Sequence, residues 1–371
     1  MSDLQDKYKL RANPFRLTPS NKPEDLIWAG FAGVKEKFEK RIKRSVKIPS
    51  SSLVLNWGEY GSGKTHAARF FSKVDVLTPI ADPDAIPFSL VMSLPKGKDP
   101  IYDMFISVID KLDIKALKTK FAADYTELES FINTIESNIH IRSVLKMIFN
   151  DEEVVGHIAV KKYLYGNMSS TDLKSLSGLE ILRNLKIEKD YTLILAGIFS
   201  CLTFDKKYYS CVIIWIDEFE DIATLNNTSM DKTNNFIREI LDSTPNNLLL
   251  FLNLTQSAMV SVEDLGQYLY VNVTSRIKET INFDLPNPID FKDYLKEMLS
   301  SFRSEGVEVN EYFPFNENVV NALIKEQGDV SLRRFNESLS LLLELAEMDK
   351  KCPISMDEFN SYKADLFLSK S

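Results

Sequence analysis

The stretch that decides the fold runs from Gly58 to Phe71, GEYGSGKTHAARFF, and its first eight residues fit G-x-x-x-x-G-K-[ST]. With glycine at about 7% of an average chain, four fixed positions recur by accident in roughly one chain of this length in a hundred. The context narrows the reading. Ser52-Leu53-Val54-Leu55-Asn56-Trp57 is a short apolar run before the loop, and His66 to Lys73 has helical composition after it. Strand, glycine loop and helix is the order that phosphate binding needs. Gly58, Gly61 and Gly63 let the backbone curl so that its N–H groups converge on phosphate oxygens, and a helix beginning near Lys64 adds its positive dipole end. On this reading Gly58, Glu59, Tyr60, Gly61, Ser62, Gly63, Lys64, Thr65 and His66 form a nucleotide-binding loop. Lys64 reaches the β- and γ-phosphates, and the Thr65 hydroxyl ligates Mg²⁺. The alternative is an ordinary glycine-rich turn.

A second motif lies farther along, in Tyr209-Ser210-Cys211-Val212-Ile213-Ile214-Trp215-Ile216-Asp217-Glu218. Its apolar run predicts a strand buried on both faces, as in a parallel sheet covered by helices. Ligands bind beyond the carboxyl ends of such strands. Asp217 is therefore the expected Mg²⁺ ligand, and Glu218 the base that takes a proton from the water attacking the γ-phosphate. A further buried strand is expected at Asn247 to Thr255. Asn253 and Thr255 share one of its faces, and either could orient that water or simply cap the strand end. Pro87 to Leu94 supplies one more strand, giving an α/β fold with a mostly parallel sheet.

Composition sets the bounds. The chain has 371 residues, 44% hydrophobic and 26% charged, as in a globular protein. No apolar run of about 18 residues predicts membrane insertion, and the N-terminus lacks a secretory core, so a cytoplasmic location is expected. Cys201, Cys211 and Cys352 and the three histidines lack the close pairing of a zinc site. The net charge of −8 argues against non-specific coating of nucleic acid. A local exception is KEKFEKRIKRSVK, Lys35 to Lys47, where Val34, Phe38, Ile42 and Val46 recur at helical spacing and the basic residues read as a solvated face or a DNA- or partner-facing patch.

These motifs together resemble the AAA+ branch of P-loop ATPases, of the replication-initiator, ExeA-like and transposition-helper type. Val271 to Pro288, VNVTSRIKETINFDLPNP, is similar to the segment in which a Ser-Arg pair precedes a last strand of form I-x-F. The resemblance implies that Arg276 is an arginine finger offered to a neighbouring subunit. Gly328 to Ala346, GDVSLRRFNESLSLLLELA, resembles the sensor-2 element, which implies Arg333, with Arg334 as the alternative, as the arginine that touches the γ-phosphate. Ala12 to Gly30, ANPFRLTPSNKPEDLIWAG, resembles the lead-in of these ATPases and makes Ile27 and Trp28 candidates for contact with adenine, or else plain core residues. KKYLYGNMSSTDLKSL, Lys161 to Leu176, is similar to ATP-binding proteins of BREX-type phage-defence systems.

The expected architecture is a P-loop NTPase (AAA+) core of α/β class: a lead-in at 1–26, the core at 27–285 with a helical insertion at about 113–205, and an all-helical lid at 286–371. Pro286-Asn287-Pro288 marks the hinge. The expected activity is Mg²⁺-dependent ATP hydrolysis by a homo-oligomer, or by a complex with other subunits, controlling a DNA-associated process with DNA itself a candidate partner. A nucleotide switch or scaffold that does not hydrolyse ATP is the main alternative, and a phosphotransferase is the third reading.

Overall fold

The structure is a computed structural model that describes residues 3–16, 22–81, 85–151, 153–181, 183–256 and 265–367. Leu17 to Asn21 of the lead-in, and Glu152 and Leu182 of the insertion, lie outside the described residues. Strands β1 (Ser52–Gly58), β2 (Phe88–Ser93), β3 (Val212–Asp217), β4 (Leu248–Thr255) and β5 (Ile277–Phe283) form a parallel sheet of order β2-β3-β4-β1-β5. Phe88 to Ser93 pair in register with Val212 to Asp217, and Val212 to Ile216 with Leu248 to Leu252. Every residue of β1 and β3 is buried, and all of β4 but Thr255. Strands covered on both faces need no alternation of polar and apolar residues, which is why they read as continuous apolar runs.

The chain divides into two compact units. The larger comprises Phe38–Trp57 and Phe71–Ile281. On one side of its sheet Trp215, fully buried, stacks on Phe251 with centroids 3.9 Å apart, and Phe38 packs against both rings at 5.7 and 5.6 Å. The helices Pro100–Lys111, Glu188–Leu202 and Asn227–Ser243 share another core with the sheet, and the first and last are capped by the side chains of Asp99 and Asn226. The long stretch between β2 and β3 adds helices that include Ile114–Phe121, Tyr125–Ile135, Ile139–Phe149 and His157–Leu164. They are not a separate body: Val144, Ile148, Ile194, Phe199 and Leu250 belong to one continuous apolar cluster. Inside it, Lys118 is buried because its ammonium donates to the carbonyls of Met147 and Asn150, at 2.9 and 2.6 Å, and so satisfies a helix end.

The smaller unit comprises Met1–Lys37, Gly58–Phe70 and Asn282–Ser371. Asn287 opens the helix Pro288–Ser301 with a capping box completed by Asp290. The helices Glu317–Gln327, Leu332–Met348 and Met356–Phe367 surround Phe291, Leu295, Phe335 and Leu342. Tyr8, Leu10 and Phe15 of the lead-in are buried in that same cluster, and the Tyr8 hydroxyl donates to the Lys351 carbonyl at 2.9 Å.

The basic helix spans Ala32–Lys47, with Phe38, Ile42 and Val46 buried and Val34 half-buried. One of its basic residues departs from the expected charged face. Arg41 is only 5% exposed, because it lies on the same stripe as Phe38 and Ser45. Burial pushes its guanidinium below the ordinary arginine value, with Glu279 opposing. Lys40, Lys43 and Arg44 remain exposed.

Trp215→Ala should cost about 3–5 kcal/mol by emptying the ring stack. The checking measurement is urea unfolding, where the midpoint falls at unchanged m-value.

Candidate nucleotide-binding site

In the smaller unit the loop curls as its glycines require. Gly61 and Gly63 have φ of +77° and +104°, values that side chains bearing a Cβ rarely adopt. Gly58 is needed for space instead, since a Cβ there would come within 2.7 Å of Phe283. Lys64 is 6% exposed, and its ammonium donates to the carbonyls of Gly58 and Glu59 at 2.9 and 2.8 Å and lies 3.2 Å from the Ser62 hydroxyl. Its charge is thus drawn back over its own loop. Thr65 is half-buried at the start of the helix Lys64–Phe70, while Glu59 and Tyr60 are exposed.

Two other expected residues meet this loop within the same unit. Arg333 donates its backbone N–H to the Gly61 carbonyl at 3.2 Å, its guanidinium lies 4.9 Å from the centre of the Tyr60 ring, and it donates to the Tyr60 hydroxyl at 2.6 Å. A Cβ on Gly61 would sit 2.5 Å from the Arg333 Cβ. Arg334, one residue on, pairs with Glu337 at 3.6 Å and is 58% exposed. On the lead-in, the His66 ring Nε2 donates to the Ile27 carbonyl at 2.6 Å, and the Trp28 ring, half-buried, has its centroid 5.5 Å from that of Phe70. The Trp28 indole N–H is engaged by the Gly30 carbonyl at 2.8 Å, so the ring offers only its faces and edge carbons to a ligand.

The larger unit holds the acidic residues. Asp217, 7% exposed at the end of β3, accepts from the Asn253 amide at 2.9 Å. Asn253, on the neighbouring strand β4, in turn accepts from the Asn56 amide of β1 at 2.7 Å. The strand order makes this row, because β4 lies between β1 and β3. Motif and spacing pass over Asn56, although an amide inside the apolar run SLVLNW is its visible signal. Glu218 has φ +54° and ψ +38°, a left-handed conformation that costs an ordinary residue about 1–2 kcal/mol. Strain of this kind concentrates at functional sites. It turns the chain from β3 into the following 3₁₀ turn, with Phe219 buried and Glu218 exposed. Thr255 is placed differently from Asn253: its backbone N–H donates to Glu220 at 3.0 Å. Beside them Lys96 pairs with Asp221 at 2.8 Å, and the hydrogen bond raises its ammonium pKa.

Arg276 directly precedes β5 and is held in a forked pair with Asp242, at 3.0, 2.9 and 2.8 Å, while a further N–H is donated to the Asn272 carbonyl. Asp242 is a partner that sequence spacing did not suggest, since it lies 34 positions upstream.

In the larger unit Asp217 is a buried carboxylate with one oxygen held by an amide, a hard ligand of the type Mg²⁺ takes; in the smaller unit the half-buried Thr65 hydroxyl is another hard oxygen donor. Among the described residues no group of three or more His, Cys, Asp or Glu could hold a metal ion. Mg²⁺ commonly uses one or two protein oxygens and fills its shell with phosphate and water. No helix among the described residues is long and apolar enough to cross a membrane.

No family model and no curated protein matches the sequence. Solved structures do match the fold. The Aeropyrum pernix ORC2 protein in ADPNP–ADP complexes superposes with a TM-score of 0.56 at 12% identity, over 94% of this chain and 72% of that one. Its ADP form gives 0.53 at 12% identity, over 89% and 67%. The Aeropyrum pernix ORC1 protein in complex with DNA gives 0.50 at 12% identity, over 96% and 70%. The chain shares the fold of these ORC proteins, the AAA+ P-loop NTPase fold of a parallel sheet flanked by helices.

Gly61→Ala should destabilise the protein by at least the left-handed penalty of about 1–2 kcal/mol, and more if Arg333 cannot shift. Thermal unfolding checks this: Gly61→Ala should melt below wild type, and pairing it with Arg333→Gly should recover part of the loss.

Proposed function

We propose that this chain binds ATP with Mg²⁺, hydrolyses it in assemblies with copies of itself or with related subunits, and uses the cycle to control a DNA-associated process. The observation that carries the nucleotide reading is the loop of Gly58 to Thr65. Two positive-φ glycines curl it, and a buried lysine ammonium is held over it by the loop's own carbonyls. Neutral carbonyl oxygens hold such a cation in place without cancelling its charge. Lys64 then exchanges those carbonyls for β- and γ-phosphate oxygens. Thr65 and Asp217 are the residues that would hold Mg²⁺, which supplies charge neutralisation on the phosphates when bound.

Glu218 takes the proton of the attacking water. Its exposure at the end of β3 and its left-handed backbone, a strain that functional sites often hold, support that role. Asn253 fixes the Asp217 carboxylate by donating to it. Arg333, rather than Arg334, is the residue we assign to the γ-phosphate, on the strength of its contact with the loop. Trp28 and Ile27 are assigned to the adenine side. Arg276 is assigned to a neighbouring subunit's nucleotide, with Asp242 as the brace that keeps its fork aligned. The ADP and ADPNP bound to the ORC2 protein support the nucleotide reading, and the DNA bound to the ORC1 protein supports the DNA reading. The likeness of Lys161 to Leu176 to phage-defence proteins makes phage challenge the first cellular assay.

Lys64→Ala should abolish ATP binding measured by a fluorescent analogue. Glu218→Gln should bind normally and lose about 10²–10⁴ in turnover. Equal, near-zero rates for wild type and Glu218→Gln would instead favour a switch that does not hydrolyse. Arg276→Ala should keep binding and lose up to about 10³–10⁵ in turnover, with partial recovery when mixed with Glu218→Gln subunits.

Duplex DNA binding should be salt-sensitive. Neutralising Lys40, Lys43 and Arg44 should lower the slope of log K against log salt by about one for each phosphate no longer neutralised. Arg41, being buried, should affect stability rather than that slope.

A further inference from the structure

Within the larger unit, the helices Tyr125–Ile135 and Glu188–Leu202, the segment that follows the second of them and the turn leading into β4 enclose a cavity of about 710 Å³. Sites for small molecules commonly have this size. Its apolar lining includes Leu193 and Gly197 of one helix, and the rings of Phe131 and Phe204, which pack with centroids 4.9 Å apart. Asn247 lines it as well. That residue is 6% exposed, and its side-chain oxygen has no hydrogen-bond partner among the described residues. A buried acceptor in that condition is costly until something donates to it.

The strong donors of this cavity are already engaged. The Lys206 ammonium donates to the carbonyls of Val46 and Lys47 at 2.6 and 3.5 Å, and the Asn246 amide reaches those of Pro49 and Pro245 at 3.2 Å. The acceptors are less occupied. Asp242 is taken up by Arg276, but Asp205 has no hydrogen bond or ion pair among the described residues, and Glu136 accepts from the Asn138 N–H at 2.7 Å and has no cationic partner there. Two carboxylates and a buried amide oxygen beside aromatic and aliphatic walls suit a molecule that is positively charged, rich in N–H groups and partly apolar. A phosphate would meet like charge. We propose that this cavity is a binding site for a small organic cation that carries an ammonium or guanidinium group at each end of a short apolar body. Asp217 and Glu218 do not line it, so the site stands whether or not the chain hydrolyses ATP.

The probe is agmatine, which has a guanidinium and an ammonium on a four-carbon chain, and its matched control is 4-guanidinobutanoate, in which a carboxylate replaces the ammonium. Calorimetry on the full, nucleotide-free chain should find one agmatine site with Kd below about 1 mM, and the control should bind at least about tenfold more weakly. Glu136→Gln combined with Asp205→Asn removes both charges at nearly unchanged shape. Asp205 has φ +48°, a left-handed conformation that asparagine tolerates. This pair should weaken agmatine at least about tenfold, whereas Glu305→Gln with Glu308→Gln, the same charge change on exposed residues of the smaller unit, should leave it within about twofold.

Location is read separately. Gly197-Ile198 is the only Gly-Ile pair in the sequence, so protein labelled at the glycine carbonyl carbon and the isoleucine nitrogen gives a single NMR signal from the cavity wall. That signal should shift with agmatine and follow the calorimetric Kd. No agmatine binding, equal binding of 4-guanidinobutanoate, equal weakening by the two pairs of substitutions, or an unmoved Ile198 signal at saturation would each overturn the proposal. So would an arginine-rich peptide that shifts the Ile198 signal where agmatine does not, since the occupant would then be a partner's side chains. If the Glu136→Gln and Asp205→Asn protein does not fold, the Ile198 signal and the comparison of the two probes in wild type decide alone.

Discussion

A carboxylate at the end of a strand covered on both faces is the constraint around which the larger unit is arranged. Asp217 has little access to water, and a buried charge without partners is among the most costly features a fold can hold. The remedy has to come from adjacent strands, because its own strand is otherwise apolar. The order β3-β4-β1 supplies it, setting Asn253 next to Asp217 and Asn56 next to Asn253. Had β4 not been inserted between β1 and β3, that row of amides could not form. Sheet order, polar pairing and the chemistry open to the carboxylate are one requirement.

A steric requirement governs the glycine loop in the smaller unit. Gly61 admits the Arg333 side chain only because it has no Cβ, and its carbonyl is taken up by the Arg333 N–H. The glycine therefore meets two demands, the left-handed turn of the loop and the approach of the helix Leu332–Met348. The helix end is tied to the loop through one backbone bond and one tyrosine. The lead-in is held in this unit by different means: Tyr8, Leu10 and Phe15 fill gaps among the helices.

Much of this was legible from the chain. The glycine loop, the acidic strand and the buried strand after it each carried a local signature, and β1, β3 and β4 fall within a residue or two of the apolar runs that announced them. Their legibility has a common cause, since a strand buried on both faces must be apolar throughout and a phosphate loop must have glycine where φ is positive. Arg41 shows the limit. The spacing that gave the basic helix its packed face also put Arg41 beside that face, and charge alone suggested the solvent side. The resemblance favoured Arg333 over Arg334, but which of the two meets the loop depends on helix phase, because neighbouring residues on a helix point about 100° apart.

The sequence by itself determined the fold class, the loop, the order of its main elements and the identity of the acidic pair, because those depend on local backbone geometry and on runs of burial. Only the tertiary structure decided which side chains meet. Asn56 and Asp217 share a row through Asn253, Arg276 is braced by Asp242, and the lead-in fills the helical core. Hydrogen-bond partners, unlike strands and turns, are set by which distant segments lie side by side, and a reading of periodicity along one chain carries no information about that.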